Sequence, residues 1–283
     1  MLFYQHMPHP ETLGMGYVFR TDSGKLVVID GGLDAYSHDT EGSLFPALQR
    51  LSGSPRPHVD LWIFTHIHSD HVGEFCRMAE NHNGEFTVGK FAFHFPSEAF
   101  LKKHSVAKDL SWYRRFRKAY CTFHRDPTAY DRHLKVCRGD RFDVDGISVE
   151  ILRVPTENIT ANALNNTSIV FRLTAAGQTW LFLGDLGIEG GNELVSYYGD
   201  RLKCDICQMA HHGQKGVGDN VYAHAAPGIC IFSSATWCWN NTEPERILHT
   251  RSLPEIRAAQ HIVACHTGNA EWDLPLCNIE ERR

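Results

Sequence analysis

Thr65-His66-Ile67-His68-Ser69-Asp70-His71 is the stretch from which the rest of the chain is best read. Four of its seven side chains can bind a transition metal, and they follow an apolar run, Val59-Asp60-Leu61-Trp62-Ile63-Phe64, with the composition of a buried strand. A strand holds its end rigidly, so ligands just beyond it have little entropy left to lose. Three imidazoles and a carboxylate within six positions repel protons and each other unless a cation lies between them. The nitrogen and oxygen donors suit zinc, iron or manganese.

Two distant segments share this design. Trp180-Leu181-Phe182-Leu183-Gly184-Asp185 is an apolar strand delivering a carboxylate at its end. Cys207-Gln208-Met209-Ala210-His211-His212-Gly213 delivers two histidines before a glycine. Small residues beside the ligands let backbones approach closely. Alone, a strand-end aspartate is a cap or turn residue and a histidine pair a surface feature. The three segments in one chain, each after an apolar run, argue for a single metal centre.

The remaining pattern alternates strands and helices. Residues 16–20 and 25–30 flank Thr21-Asp22-Ser23-Gly24, a hairpin signal, and Asp30-Gly31-Gly32 ends the second strand. Further strands are expected at 147–152, 168–173, 179–183, 205–209, 228–232 and 261–265, with helices at 44–51, 73–81, 189–198 and 244–249. One domain over residues 1–283, two sheets with helices outside, accommodates this order. A helical insertion near 97–135 carries Trp112, Tyr113, Phe116 and Tyr120 among Arg114, Arg115, Arg117 and Lys118. It reads either as a lid facing an anionic substrate or as an amphipathic helix with a solvated basic face.

Composition narrows the function classes. With 28 Lys and Arg against 33 Asp and Glu, the net charge of −5 argues against a general polyanion binder, though a local basic groove stays compatible with nucleic acid. The first residues lack a basic segment followed by an apolar run, and no apolar stretch reaches membrane-spanning length, so no membrane partner is expected. Nine scattered cysteines, an odd number, fit reduced thiols and a cytoplasmic location. Cys204-Asp205-Ile206-Cys207 has no second pair to complete a zinc site and reads as packing.

The order of these motifs resembles the metallo-β-lactamase superfamily over most of the chain. Within it, Asn165-Asn166-Thr167-Ser168, then Leu183-Gly184-Asp185 and His211-His212-Gly213, is similar to the hydrolase domain of competence-type DNA-uptake proteins and to bacterial phosphorylcholine esterases. The resemblance implies an α/β fold, an αββα four-layer sandwich with the metals at one edge. It implies His66, His68, Asp70, His71 and Asp185 as metal ligands, with Asp185 bridging and His211 or His212 as the last histidine. His211 is taken as the ligand because it ends the strand directly. His212 then faces the pocket as a catalytic acid beside Asp70, and Asp30 orients a ligand imidazole from behind. Asn165, Asn166 and Trp237 are expected at the substrate.

One departure stands out. Most family hydrolases carry a further histidine in a Gly-His-Thr-like turn, and residues 154–166 contain none. The second ion would then rest on His66, His68 and Asp185, completed by water, an asparagine oxygen, or one of His94, His124 and His133. Two Zn2+ ions per chain are expected, with manganese or iron as alternatives. Catalytic zinc lowers the pKa of bound water from 15.7 to about 7, which suits hydrolysis at neutral pH. The expected substrate is a small or nucleotide-like anionic phosphodiester or phosphoester. The alternatives are a lactone, amide or thioester, with Trp237 and Trp239 as an acyl wall, or a non-hydrolytic role as an iron oxidoreductase or binding module.

Overall fold

The computed structural model describes residues 1–7, 9–36, 38–123, 135–277 and 279. The apolar run before the histidine cluster forms β4 (His58–Ile63), with parallel neighbours on both sides. These are β3 (Leu26–Asp30) and β5 (Thr87–Ala92). Antiparallel β2 (Gly16–Arg20), β1 (Leu2–Gln5) and β13 (Ala270–Asp273) complete the first sheet, in the order β13-β1-β2-β3-β4-β5.

The second sheet has the same plan. Its parallel half is β9 (Gln178–Phe182), β10 (Ile206–Gln208), β11 (Ile229–Phe232) and β12 (His261–Ala264). Its antiparallel half is β6 (Arg141–Val144), β7 (Ile147–Arg153) and β8 (Val170–Ala175), giving the order β12-β11-β10-β9-β8-β7-β6. Parallel strands covered on both faces must be apolar throughout, which is why β3, β4 and β9 read as near-continuous apolar runs.

Three apolar layers give the order of packing. Val27, Ile29, Leu61 and Ile63 of one sheet meet Phe171, Trp180, Phe182 and Ile206 of the other. Phe3 and Phe19 lie on Trp180 at centroid distances of 4.8 and 4.9 Å, so truncating Trp180 to alanine should cost about 3–5 kcal/mol. Outside the first sheet pack α1 (Leu44–Ser52), α2 (Ser69–Asn81) and α4 (Ala107–Cys121), through Leu48, Phe75 and Phe116. Outside the second pack α5 (Ile188–Tyr198), α6 (Asp219–Ala225), α7 (Ile247–Ser252) and α8 (Pro254–Arg257), through Leu194, Val221, Ile247 and Ile256. The architecture is an αββα sandwich. No helix among the described residues is long and apolar enough to cross a membrane.

Two elements differ from the sequence expectations. Helix α2 begins at Ser69 rather than near Gly73, so Asp70 and His71 form its first turn. His68 precedes it in extended conformation (φ −67°, ψ 152°), which turns the chain from strand to helix inside the metal motif. The insertion forms α3 (Glu98–His104) and α4, with residues 124–134 outside the described set. Phe116 of α4 contacts Phe64 at 4.9 Å and Phe75 at 5.3 Å, so the aromatic face is core.

Candidate metal centre

The candidate donors lie just beyond the carboxyl ends of the parallel strands β4, β9 and β10, with Asp70 and His71 in the first turn of the α2 that follows β4. Two groups of donor atoms form there: Asp70, His71, Asp185 and His212, and His66, His68 and Asp185. Asp185 belongs to both. Its Oδ2 lies 3.3 Å from His71 Nε2, 3.5 Å from His212 Nε2 and 3.7 Å from His66 Nε2. His212 Nε2 is also 3.1 Å from Asp70 Oδ2, and His66 Nε2 approaches His68 Nδ1 to 2.9 Å.

The nitrogens pointing away from the cluster are held from behind. Asp30, fully buried, receives the Thr65 N–H and Oγ1–H, each at 2.7 Å, and lies 2.8 Å from His71 Nδ1. His212 Nδ1 meets the Ser233 carbonyl at 2.8 Å. Partners of this kind fix the tautomer that offers Nε2 to a metal.

The site contains a test of whether a cation fits. His71 Nε2, His212 Nε2 and Asp185 Oδ1 are buried without a hydrogen-bond partner, although buried polar atoms are nearly always paired. Three orphaned donors converging on one volume, with no sulfur among them, fit a divalent metal of the zinc, manganese or iron type. Charge agrees. Burial pushes the His71 and His212 imidazoles down, but Asp185, with Asp30 beside His71 and Asp70 beside His212, more than reverses it. His71 is raised well above its ordinary value and His212 to about 10. Burial pushes Asp185 up, and the same histidines hold it well below the carboxylate range. His66, buried beside His71, is driven well below its ordinary value and stays neutral. The cluster attracts positive charge, which protons or metal ions can supply.

Close packing explains the glycines. A Cβ on Gly184 would lie 2.9 Å from Thr65 Cβ, and one on Gly213 would lie 2.2 Å from Phe232 Cδ1. Both have positive φ, at 57° and 81°.

The structure corrects several sequence expectations. His211 is not in the cluster: its Nδ1 lies 3.2 Å from the Lys215 carbonyl, and His212 stands among the clustered donor atoms in its place. The reason is backbone twist, since both residues are left-handed (φ 51° and 59°) and the first imidazole is turned outward. His212 is therefore placed as a donor rather than as a free acid in the pocket. Asn166 is a structural clamp. Its Oδ1 accepts the Gly187 and Gly190 N–H groups (3.2 and 3.0 Å) at the start of α5, and its Nδ2 donates to the Ala161 carbonyl and Glu189. An amide with two donors and two acceptor sites so engaged has nothing left for substrate.

Asn165 is buried, with Oδ1 unpartnered. Trp237 is 44% exposed, whereas Trp239 stacks on His266 and under Arg251. His94 is held by the Val136 carbonyl at 2.8 Å, and His124 and His133 lie outside the described residues. In the basic segment, Arg114 pairs with Glu98, and Arg115 with Asp34 and Glu80, which favours the amphipathic-helix reading. Burial lowers the His68 pKa, against the opposing pull of Asp70, Asp185 and, from α4, Asp109.

Sequence reading passed over Gln208 and Ser168. Gln208 Oε1 accepts the Leu183 and Gly184 N–H groups at 2.9 and 2.8 Å, and its Nε2 donates to the Gly184 and Met209 carbonyls. Ser168 Oγ accepts the Asp185 N–H at 3.1 Å. A glutamine inside an otherwise apolar strand was the one available signal.

No family model matches the chain. Of curated proteins, ComE operon protein 3 of Bacillus subtilis (strain 168) is 22% identical over 223 residues, 75% of this chain and 25% of the relative. Competence protein ComA of Neisseria gonorrhoeae is 33% identical over 99 residues, 35% of this chain and 14% of the relative. The chain thus spans a quarter or less of these relatives. Of solved structures, the metallo-β-lactamase fold protein YhfI from Bacillus subtilis aligns with a TM-score of 0.53 and 10% identity, over 96% of this chain and all of YhfI. CmlA, a diiron β-hydroxylase from Streptomyces venezuelae, aligns with a TM-score of 0.55 and 12% identity, over 96% of this chain and 54% of CmlA. Likeness at such identity speaks for architecture, and the architecture is unambiguous: the chain has the metallo-β-lactamase fold and is similar in sequence to competence proteins.

Proposed function

We propose that this chain is a metal-dependent hydrolase acting on a phosphodiester or phosphoester. The observation that carries the reading is the sharing of Asp185 between two groups of donors. Asp70, His71 and His212 would hold one ion and His66 and His68 the other, with Asp185 between them; zinc is the first choice of metal. When bound, such a pair supplies an activated water and neutralises charge on the attacked group. Asp70, 3.1 Å from the His212 donor and partly exposed at the outer side of the site, would help to orient the attacking water. Asn165, with its buried unpartnered oxygen, is the candidate to complete the His66 and His68 side or to contact substrate. The resemblance of the motifs to competence-type DNA-uptake proteins, whose substrate would carry phosphodiesters, supports phosphate chemistry over acyl chemistry.

Nine free cysteines support a reducing, cytoplasmic setting. A second reading, iron-dependent oxidation, draws on the likeness to CmlA and on a donor set without sulfur. Hydrolysis of bis(p-nitrophenyl) phosphate by zinc- or manganese-loaded protein tests the first reading. Turnover that a chelator removes and Asp185→Ala abolishes is expected. Absence of turnover with two ions bound would move the assignment to lactones, thioesters and amides, and oxygen consumption by iron-loaded protein would move it to oxidation.

A further inference from the structure

A second site lies where β7 ends against α5. A cavity of about 310 Å3 there is lined by Arg138, Arg153, Thr156, Glu193, Tyr197 and Tyr198 over an apolar floor that includes Leu152 and Leu194. None of these residues is a candidate metal donor. Strands β7 and β9 run in the same direction with β8 between them, so Arg153 and Asp185 leave the same sheet edge. Two strand spacings, about 10 Å, separate their strands.

Charge in this cavity is unbalanced. Arg153 is only 4% exposed, and its Nε donates to Glu193 at 3.0 Å. Its Nη1 donates to the Asn166 and Ser168 carbonyls, both at 3.0 Å, whereas Nη2 is buried without a partner. Arg138 is exposed, with its guanidinium 3.8 Å from the Tyr197 ring centroid, and among the described residues no carboxylate pairs with it. Two arginines thus line one cavity that offers a single carboxylate, Glu193. A buried cationic N–H without an acceptor is costly, and the guanidinium fork matches phosphate oxygens.

We propose that this cavity binds a phosphate-bearing small molecule of nucleoside-monophosphate size, its phosphate held between Arg138 and Arg153. A phosphate offers three acceptor oxygens, and the cavity is lined by Arg138, Arg153 and Thr156, each of which carries N–H or O–H donors. The ligand's remaining body lies on Leu152 and Leu194. Arg153 also braces the turn under Asp185, through the carbonyl of the Ser168 whose hydroxyl receives the Asp185 N–H.

The experiment uses the full zinc-loaded chain and follows the Nε–Hε NMR resonances of Arg138 and Arg153 during titration with adenosine monophosphate, inorganic phosphate and acetate. Arg153 touches the turn under Asp185 and can also respond to phosphate at the metals, so the Arg138 resonance, with no contact to that turn, is the one that reports on the cavity. The expected result is saturable movement of both with the nucleotide and with phosphate, and little with acetate. Arg138→Ala, a change at an exposed side chain, should weaken the response at Arg153 by about tenfold and leave bis(p-nitrophenyl) phosphate hydrolysis as in the unaltered chain. Unmoved arginine resonances, an equal response to acetate, or an undiminished response in Arg138→Ala would each overturn the proposal. Because the deciding readout is binding at Arg138, the proposal stands or falls apart from the hydrolase assignment.

Discussion

At the scale of single residues, His211 and His212 carry the most information. Left-handed backbone costs a residue with a Cβ about 1–2 kcal/mol, and here two occur in succession before Gly213. The cost is offset by what the twist accomplishes: His212 Nε2 is aimed at Asp70 and Asp185 while His211 is turned out toward the Lys215 carbonyl. His212→Ala should therefore remove bound metal, and His211→Ala should leave metal content and turnover within about twofold of the unaltered chain. Sequence showed the pair but not the choice, because the choice lies in φ and ψ. His6 supplies a separate prediction. It is fully buried, both ring nitrogens lack partners, and burial, reinforced by Arg77, lowers its pKa to about 3. The folded state thus holds His6 neutral while the unfolded chain takes up a proton below about 6.5. The stability tied to its neutrality is complete above that value and is lost as pH falls toward 3, on the order of 4–5 kcal/mol in all. Denaturant unfolding of His6→Gln between pH 4 and 7 should show a shallower acid loss than the unaltered chain; equal slopes would contradict this.

At the scale of elements, side chains from one segment hold the loops of another. Gln208, inside β10, accepts two consecutive N–H groups from the turn that carries Asp185. Gln208→Ala would leave both without an acceptor in a buried place, at about 1–3 kcal/mol each. A lowered melting temperature together with weaker metal retention is expected; an unchanged melting temperature would mean that the clamp contributes nothing. The long apolar strands and the hairpin from β2 to β3 were legible because their alternation and turn residues are local. The edge strands were not. Arg141–Val144 and Ala270–Asp273 alternate only between partly and well exposed positions, so little apolar signal marks them. Leu2–Gln5 becomes a strand because β2 and β13 pair with it from both sides, a tertiary fact. The start of α2 was placed late since His68, Asp70 and His71 read as ligands and hid the helix turn they also form.

At the scale of the whole molecule, two sheets each turn the carboxyl ends of their parallel strands to one edge, and two buried aspartates, Asp30 and Asp185, gather there with the partly exposed Asp70 and four histidines. The anionic excess explains why His212 is held at about 10 and His71 is raised well above its ordinary value. A metal needs the neutral imidazole, so uptake must displace these protons, and affinity should climb as pH rises toward 10. Titrating metal into weakly buffered protein at pH 7 should release at least one proton per chain, and no release would contradict the charge assignment. Saturation to 100 times Kd should stabilise the fold by about 2.7 kcal/mol per site, visible as a chelator-reversible rise in melting temperature. The family-level reading of the site needed only three sequence segments; the sharing of Asp185 needed the fold. Native mass spectrometry of the unaltered chain, His211→Ala and His212→Ala after zinc loading tests that sharing most directly. The expected result is two ions in the first two proteins and fewer in the third; a single ion in the unaltered chain, or a loss in His211→Ala alone, would contradict the centre described here.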